Sequence, residues 1–154
     1  MAIITITRGS LRAARDITLR LSEQLGYRAV LREEVIEHGE KYGLHEFRLS
    51  QLETMEKKPP SFWDRNSLQR HHYVTIFRAS LMDFVVKDNV IYQGNLGQFC
   101  LSEVPCLLRV RVDADKESRI DGLMKESGAS RVEAEAQIAD IDSRRKQWVR
   151  FLYG

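Results

Sequence analysis

The feature that most constrains the fold is a short segment near the start of the chain that is apolar on both faces. Residues 2–6 read Ala-Ile-Ile-Thr-Ile, and the segment stops at Arg8-Gly9-Ser10. A strand with one wet face alternates apolar and polar residues, whereas this one carries β-branched residues on both faces. The sequence therefore predicts a strand that is buried on both sides, which is typical of a parallel sheet.

An amphipathic helix is predicted directly after this strand, over Leu11–Leu25. Apolar or small residues recur at helical spacing while charged residues take the other face, and Gly26 ends the run. The residues expected to face inward are Ala14, Ile17, Thr18, Leu21 and Leu25.

The rest of the chain alternates further strands with helices. The predicted strands are 27–30, 89–93 and 106–113, and the predicted helices are 33–42, 47–56, Ser61 to about Lys87, Asp115 to about Ser127, and Ser130 to about Leu152. Strands joined by helical crossovers form a three-layer sheet. The predicted fold class is α/β, with about four core strands and with most residues helical.

Composition limits the class of protein. The 154 residues predict one domain, and no window approaches the roughly 18 consecutive apolar residues of a membrane span. Because the N-terminus does not resemble a signal peptide, we expect a soluble cytoplasmic protein. The net charge of +2 gives no argument for nucleic acid. A group of aromatic and basic residues, Trp63, Arg65, Arg70 and Tyr73, matches a helix core better than a nucleic-acid surface.

Cysteine and histidine predict no metal site. Cys100 and Cys106 flank Pro105 in an apolar segment, and we expect both to be reduced, buried side chains. The four histidines lack the spacing of a ligand pair, and solvated helix positions explain them.

The turn after the first strand is the first candidate site, because ligands of parallel sheets bind at the carboxyl ends of the strands. It reads Gly-Ser-Leu-Arg-Ala-Ala-Arg-Asp over residues 9–16. Of the phosphate-binding pattern G-x-x-x-x-G-K-[ST], Gly9 matches, and Ala14, Arg15 and Asp16 replace the other three positions. A helix N-terminus with nearby arginines can bind an anion. The alternative is an ordinary strand-to-helix connection with solvated arginines.

An arginine interrupts the apolar stripe of the last helix. The stripe comprises Ala134, Ile138, Ile141, Arg145, Trp148 and Leu152. Guanidinium groups at 144, 145 and 150 would suit phosphoryl oxygens, which need several positioned donors. Alternatively, Arg145 pairs with Asp142 as a surface contact between residues three apart. The residues alone leave both interpretations open.

Short motifs in a fixed order, over essentially the whole chain, resemble the cytidylate kinase-like branch of the P-loop nucleoside monophosphate kinases, in particular its bacterial members. The matching stretches are Ile3–Ser10, Leu25–Tyr27, Arg32-Glu33, Pro60-Ser61, Asp64-Arg65, Asn89–Gly94, Leu108–Val112, Ser130–Ala134, and Asp142–Arg145 continuing through Trp148 to Gly154.

The resemblance implies a P-loop kinase that transfers the γ-phosphoryl group of ATP, with Mg²⁺, to a nucleoside monophosphate. It assigns residues from about 31 to 88 to the monophosphate-binding region and from about 115 to 152 to lid-like helices. The implied ATP-binding residues are Gly9, Ser10, Arg12, Ala14, Arg15 and Asp16. The implied catalytic residues are Arg15, Arg119 and Arg145, and the implied substrate-binding residues are Arg32, Asp64, Arg65, Gly94 and Arg144.

The chain departs from the family pattern in three places. Ala14-Arg15 replaces the usual Gly-Lys, which predicts a methyl group where backbone approaches phosphate closely. Leu31 replaces an acidic residue, and the sequence stops at Gly154, where relatives continue with a strand and a helix. Without that further strand, one edge of the sheet would be left uncovered, and we expect this edge to be paired in a homodimer or with a partner. The alternative function is an inactive, kinase-derived module that senses a nucleotide or binds a protein.

Overall fold

Four parallel strands form the centre of the structure, a computed structural model that describes residues 2–8, 11–43 and 68–153. The strands are β1 (Ile3–Arg8), β2 (Arg28–Leu31), β3 (Val90–Gln93) and β4 (Leu107–Val112), in the order β2-β3-β1-β4. In this register Ile3 lies opposite Val90 of β3 and Leu107 of β4. The predicted parallel α/β sheet is confirmed.

Helices account for most of the regular structure in the described residues. They are α1 (Leu11–Leu25), α2 (Arg32–His38), α3 (Leu68–Val85), α4 (Gly97–Cys100), α5 (Lys116–Ser127) and α6 (Arg131–Tyr153). The helix predicted over 33–42 tightens into a 3-10 helix at Gly39–Tyr42. The helix predicted over 47–56 and the predicted helix start at Ser61 lie outside the described residues. None of the described helices is long and apolar enough to span a membrane.

Both faces of the sheet are buried, as the first strand of the sequence predicts. On one face, Ile4 and Ile6 of β1 pack with Ala14 of α1. Successive strand residues point to opposite faces. On the opposite face, Tyr92 of β3 meets Phe77 of α3, and the two ring centroids lie 6.3 Å apart in an edge-on arrangement.

The predicted inward face of α1 is partly wrong. Ala14 and Thr18 are buried, but Ile17 and Leu25 are 37% and 47% exposed. At about 100° per residue, Ile17 lies roughly 60° from Ala14 around the helix axis, at the margin of the buried face. Leu25 shares the angular position of Ala14 but is the last residue of the helix, where the chain turns away at Gly26.

The two cysteines differ in burial. Cys100 is buried, and burial raises the pKa of its thiol to about 12. Cys106 is exposed, so the prediction of burial is wrong for this residue. It lies in the turn that leads into β4, with a φ of 61°, and a surface turn does not cover its side chain.

The described residues divide into two compact units, the first formed by 2–8, 11–43 and 68–113 and the second by 114–153. In the second unit, Ile120 of α5 packs against Ala134 and Ile138 of α6. Asp115 caps α5, since its carboxylate accepts a hydrogen bond from the backbone N–H of Ser118 at 2.8 Å. A single domain over residues 1–154 stays a prediction.

Two glycines are expected to respond in opposite ways to alanine. At Gly122, in the middle of α5, an added methyl group meets nothing within 4 Å. We expect G122A to raise the free energy of unfolding by about 0.5–1 kcal/mol, since alanine is the better helix former. At Gly97, the first residue of α4, the methyl group would overlap the buried ring of Tyr92. We expect G97A to lower the free energy of unfolding by roughly 1–3 kcal/mol. Urea denaturation of both variants checks this pair, and a G97A as stable as wild type would contradict the packing around Tyr92.

Candidate functional site

The carboxyl ends of the parallel strands bring several predicted site residues to the same side of the sheet. β1 ends at Arg8, three residues before α1 begins. β2 ends directly before Arg32, the first residue of α2, and β3 ends directly before Gly94. Ligands of such sheets bind on this side.

Gly94 joins the end of β3 to β1. Its backbone N–H donates to the carbonyl oxygen of Ile6 at 3.1 Å. A Cβ at this position would overlap the side chain of Tyr92, so the site accepts only glycine without rearrangement. The loop after β3 is therefore held beside the last residues of β1, where the candidate anion-binding turn starts.

The turn itself is described in part. Gly9, Ser10 and the side chain of Arg12 lie outside the described residues. Arg15 and Asp16 are exposed, and the first turn of α1 carries no acidic residue. A positive side chain near a helix N-terminus that has no acidic residue in its first turn favours the binding of an anion over that of a cation.

The methyl group of Ala14 lies elsewhere than predicted. It is fully buried in the core cluster with Ile4, Ile6 and Ile91, because Ala14 lies about one turn into α1 on the face toward the sheet. The Ala14 side chain is thus part of the core, and the predicted contact of Ala14 with phosphate would involve its backbone.

In the second unit, Asp142 of α6 contacts two of the predicted arginines. Arg119 of α5 donates from Nη2 to Oδ1 at 2.7 Å and from Nη1 to Oδ2 at 2.9 Å. Nη1 of Arg145 lies 3.7 Å from Oδ1. The contact between residues 142 and 145 that the sequence offered as one interpretation is present. The Arg119 guanidinium holds the pKa of the Asp142 carboxyl below its usual value, so this carboxylate stays charged at neutral pH.

Arg144, the third predicted arginine of this unit, pairs with a different carboxylate. Its Nη2 lies 2.8 Å from Oδ2 of Asp140, one turn earlier on α6. The turn of α6 around residue 142 therefore carries ion pairs of both Asp140 and Asp142.

The predicted substrate-binding residues of the first unit are only partly described. Nη1 of Arg32 lies 3.7 Å from the carboxylate of Glu33, and the Arg32 side chain is 21% exposed. Asp64 and Arg65 lie outside the described residues. Arg70 and Tyr73, which the sequence favours as core, are both buried.

A polar cluster that the sequence did not indicate connects α2, the 3-10 helix and α3. Oδ2 of Asp83 accepts hydrogen bonds from Tyr42 Oη at 2.7 Å and His38 Nε2 at 3.0 Å, and Lys41 Nζ lies 2.5 Å away. Asp83 lies more than 40 residues from its three partners in sequence, so no local spacing reveals the cluster. The cluster fixes the start of the predicted monophosphate-binding region onto α3.

This cluster predicts a pH dependence of stability. Hydrogen bonds from Lys41, Tyr42 and His38 hold the pKa of Asp83 well below its usual value. A carboxyl with a lowered folded-state pKa stabilises the fold above its unfolded pKa, and that contribution is lost as pH falls through the folded pKa. We expect D83N to melt below wild type at neutral pH, with a difference that shrinks below about pH 4. Thermal melts from pH 7 to pH 2 check it, and a difference independent of pH would contradict the role of the charge.

In the part of the chain that the structure describes, no three His, Cys, Asp or Glu residues come together as a possible metal centre.

Comparisons with known proteins agree with this architecture. A crystal structure of an uncharacterized protein from Eubacterium ventriosum is similar, with a TM-score of 0.69 and 15% sequence identity, over all of this chain and 78% of that one. At this identity the likeness shows the fold alone. No curated protein matches the sequence. The model of the cytidylate kinase-like family matches residues 3–154. The chain therefore belongs to the cytidylate kinase-like family.

Proposed function

We propose that the protein binds a nucleotide and transfers the γ-phosphoryl group of ATP to a nucleoside monophosphate. The observation that carries the proposal is the central parallel strand β1, which ends at Arg8 shortly before the N-terminus of α1 and is hydrogen-bonded near its end, at Ile6, by the backbone N–H of Gly94. The first backbone N–H groups of such a helix have no partner within the helix, and they suit phosphate oxygens. Membership of a kinase-like family supports the same ligand.

The described residues of this turn fit ATP and Mg²⁺. Arg15 offers an exposed guanidinium for phosphate oxygens. Asp16 offers exposed carboxylate oxygens, which Mg²⁺ prefers as ligands and which can replace the hydroxyl of the usual pattern. When bound, Mg²⁺ would neutralise charge on the phosphates.

The other predicted residues receive roles in binding and orientation. Arg32 and Gly94, on the carboxyl-terminal side of the sheet, are proposed to contact the acceptor, together with Asp64 and Arg65. The family resemblance gives phosphate contacts to Arg119, Arg144 and Arg145. Phosphoryl transfer needs positioning and charge stabilisation rather than a covalent intermediate, so a set of arginines is sufficient protein chemistry.

A coupled assay of ADP formation tests the proposal. The purified protein is incubated with ATP, Mg²⁺ and, in turn, CMP, dCMP, UMP and AMP. We expect turnover with at least one acceptor above the rate of ATP hydrolysis alone. If no acceptor supports turnover, the protein is not a nucleoside monophosphate kinase.

A second function, nucleotide sensing without catalysis, is favoured by the replacement of Gly-Lys by Ala14-Arg15. Thermal melts with millimolar ATP or monophosphate separate the two functions. A ligand that binds only the folded protein stabilises it, by about 2.7 kcal/mol at 100 times its Kd. Stabilisation without turnover would support sensing, and no stabilisation by any nucleotide would contradict both functions.

The edge of the sheet at β4 is the proposed homodimer surface. β4 is the terminal strand in the sheet order, pairs with β1, and carries Leu108 at 57% exposure. An uncovered strand edge pairs readily with another chain. Sedimentation equilibrium is expected to show dimers, and a monomer at high concentration would contradict the proposal.

A further inference from the structure

A buried side-chain amide lies at the carboxyl end of β3. Gln93, the last residue of the strand, is only 7% exposed. Its neighbours in register on β1 and β2 are Ile6 and Leu31, whose side chains form no hydrogen bonds. None of the described residues forms a hydrogen bond with the Gln93 amide. Because buried polar side chains in folded proteins are normally hydrogen-bonded, this exception points to a partner that the chain itself does not supply.

The amide lies on the face of the sheet that α1 covers. Successive strand residues alternate between faces, so Gln93 shares the face of Ile91, which packs with Ala14 of α1. Gln93 is two residues, or about 6.6 Å, beyond Ile91 toward the carboxyl end of the strand. Because α1 joins two parallel strands, it runs back along the sheet, and Leu11 is three residues, or about 4.5 Å, closer to the same end than Ala14. The first turn of α1 is therefore nearly level with Gln93.

An anion at this level would meet hydrogen-bond donors from two elements. The first backbone N–H groups of α1 have no acceptor within the helix, and its first turn carries no acidic residue. The side-chain NH₂ group of Gln93 adds two N–H donors. A carboxylate in the same place would repel a phosphate oxygen, whereas an uncharged amide can donate to it. The helix N-terminus and the buried amide thus favour the same ligand chemistry.

We infer that Gln93 is a binding residue for ATP: its side-chain NH₂ group donates a hydrogen bond to a phosphate oxygen held at the N-terminus of α1. This inference rests on the proposed function and adds to it a residue to which neither the phosphate-binding pattern nor the family resemblance gives a role. It also has a consequence for the protein without nucleotide. The buried amide has lost its hydrogen bonds to water and regains them only from the ligand, so Gln93 destabilises the unliganded fold.

The first experiment compares stability and ATP binding in Q93M. Methionine keeps the length of the side chain and removes its polar group. We expect the melting temperature without nucleotide to rise by roughly 2–4 °C, since an unsatisfied buried amide is destabilising. We expect the Kd for ATP, measured by titration calorimetry, to rise by roughly 10- to 150-fold, as for the loss of a hydrogen bond to a charged group. A merely structural role would not combine higher stability with weaker binding.

T5V is the matched control. Thr5 of β1 is fully buried, and its hydroxyl has no hydrogen-bond partner in the part of the chain that the structure describes. It differs from Gln93 in position, because it shares its face of the sheet with Tyr92, opposite to α1. T5V should therefore raise the melting temperature and leave the Kd for ATP unchanged. Equal weakening of ATP binding in T5V and Q93M would overturn the inference.

Q93E distinguishes a donor to phosphate from a ligand of Mg²⁺. A carboxylate in place of the amide would repel phosphate oxygens and attract the metal ion. We expect Q93E to bind ATP more weakly than Q93M does, both with and without Mg²⁺. Tighter binding by Q93E than by Q93M in the presence of Mg²⁺ would show that this side chain faces the metal ion, and the inference would be wrong.

Two further outcomes count against the inference. A Q93M that melts below wild type would show that the amide is already satisfied in the folded protein. An equal Kd for ATP in Q93M and wild type would show that water, rather than phosphate, is the partner of the amide. In that case wild type still binds ATP, and the proposed function stands. If the titration shows no ATP binding to wild type, the proposed function and the inference both fail.

Discussion

Replacing Arg15 by methionine is expected to lower kcat/KM for ATP by roughly 10- to 150-fold. A hydrogen bond to a charged group contributes about 1.5–3 kcal/mol, which corresponds to this range of rates. Arg15 is exposed near the start of α1, where the strand-to-helix turn would bring phosphate oxygens. Methionine preserves much of the side-chain length and helix propensity, so the change should affect phosphate binding more than folding.

The control for this prediction is Arg20, which is exposed on the same helix five residues later. R20M removes the same charge from α1 but at a distance from the turn, and we expect less than about 2-fold change in rate, as for an exposed charge at a distance from the reacting groups. R15K should keep much of the activity, because lysine also binds phosphate as a point charge. Equal losses in R15M and R20M would mean that only net charge matters and would contradict a phosphate site at this turn.

The sequence predicts the elements whose local pattern repeats. β1 is apolar on both faces, and this alone indicates a buried parallel strand, which the register with β3 and β4 confirms. The capping pattern of Ser130 and Glu133 marks the start of α6, where the serine and the carboxylate are hydrogen-bonded at 2.8 Å. Such signals are local, so no tertiary information is needed to interpret them.

The sequence does not predict features that depend on tertiary packing. The single turn α4 is too short to show a period. The match of residues 9–16 to a phosphate-binding pattern cannot show that the methyl group of Ala14 belongs to the core. Asp83 contacts side chains from two other elements, and Asp142 contacts one arginine on α5 and one on its own helix α6, which are 23 and three residues away. Only the second of these contacts lies within reach of helical spacing.

The largest loss of stability is expected from F77A. Phe77 is fully buried on α3, and its ring centroid lies 5.9 Å from that of Tyr73 and 6.3 Å from that of Tyr92. Truncation to alanine removes the ring and leaves a cavity between two aromatic side chains, which costs about 3–5 kcal/mol. F77L keeps most of the apolar volume, and we expect it to lower the free energy of unfolding by no more than about 1.5 kcal/mol. Urea denaturation of both variants measures the difference.

The same cavity predicts a coupling with Gly97. A methyl group at Gly97 is destabilising because it overlaps the ring of Tyr92, which the packing of Phe77 helps to hold in place. With Phe77 truncated, Tyr92 gains room to move away from the added methyl group. The double variant F77A/G97A should therefore lose less stability than the sum of the two single changes, by about 0.5–3 kcal/mol, as is usual for residues that share a contact. Strict additivity would show that neighbours other than Phe77 fix Tyr92, and it would contradict the predicted coupling between Phe77 and Gly97.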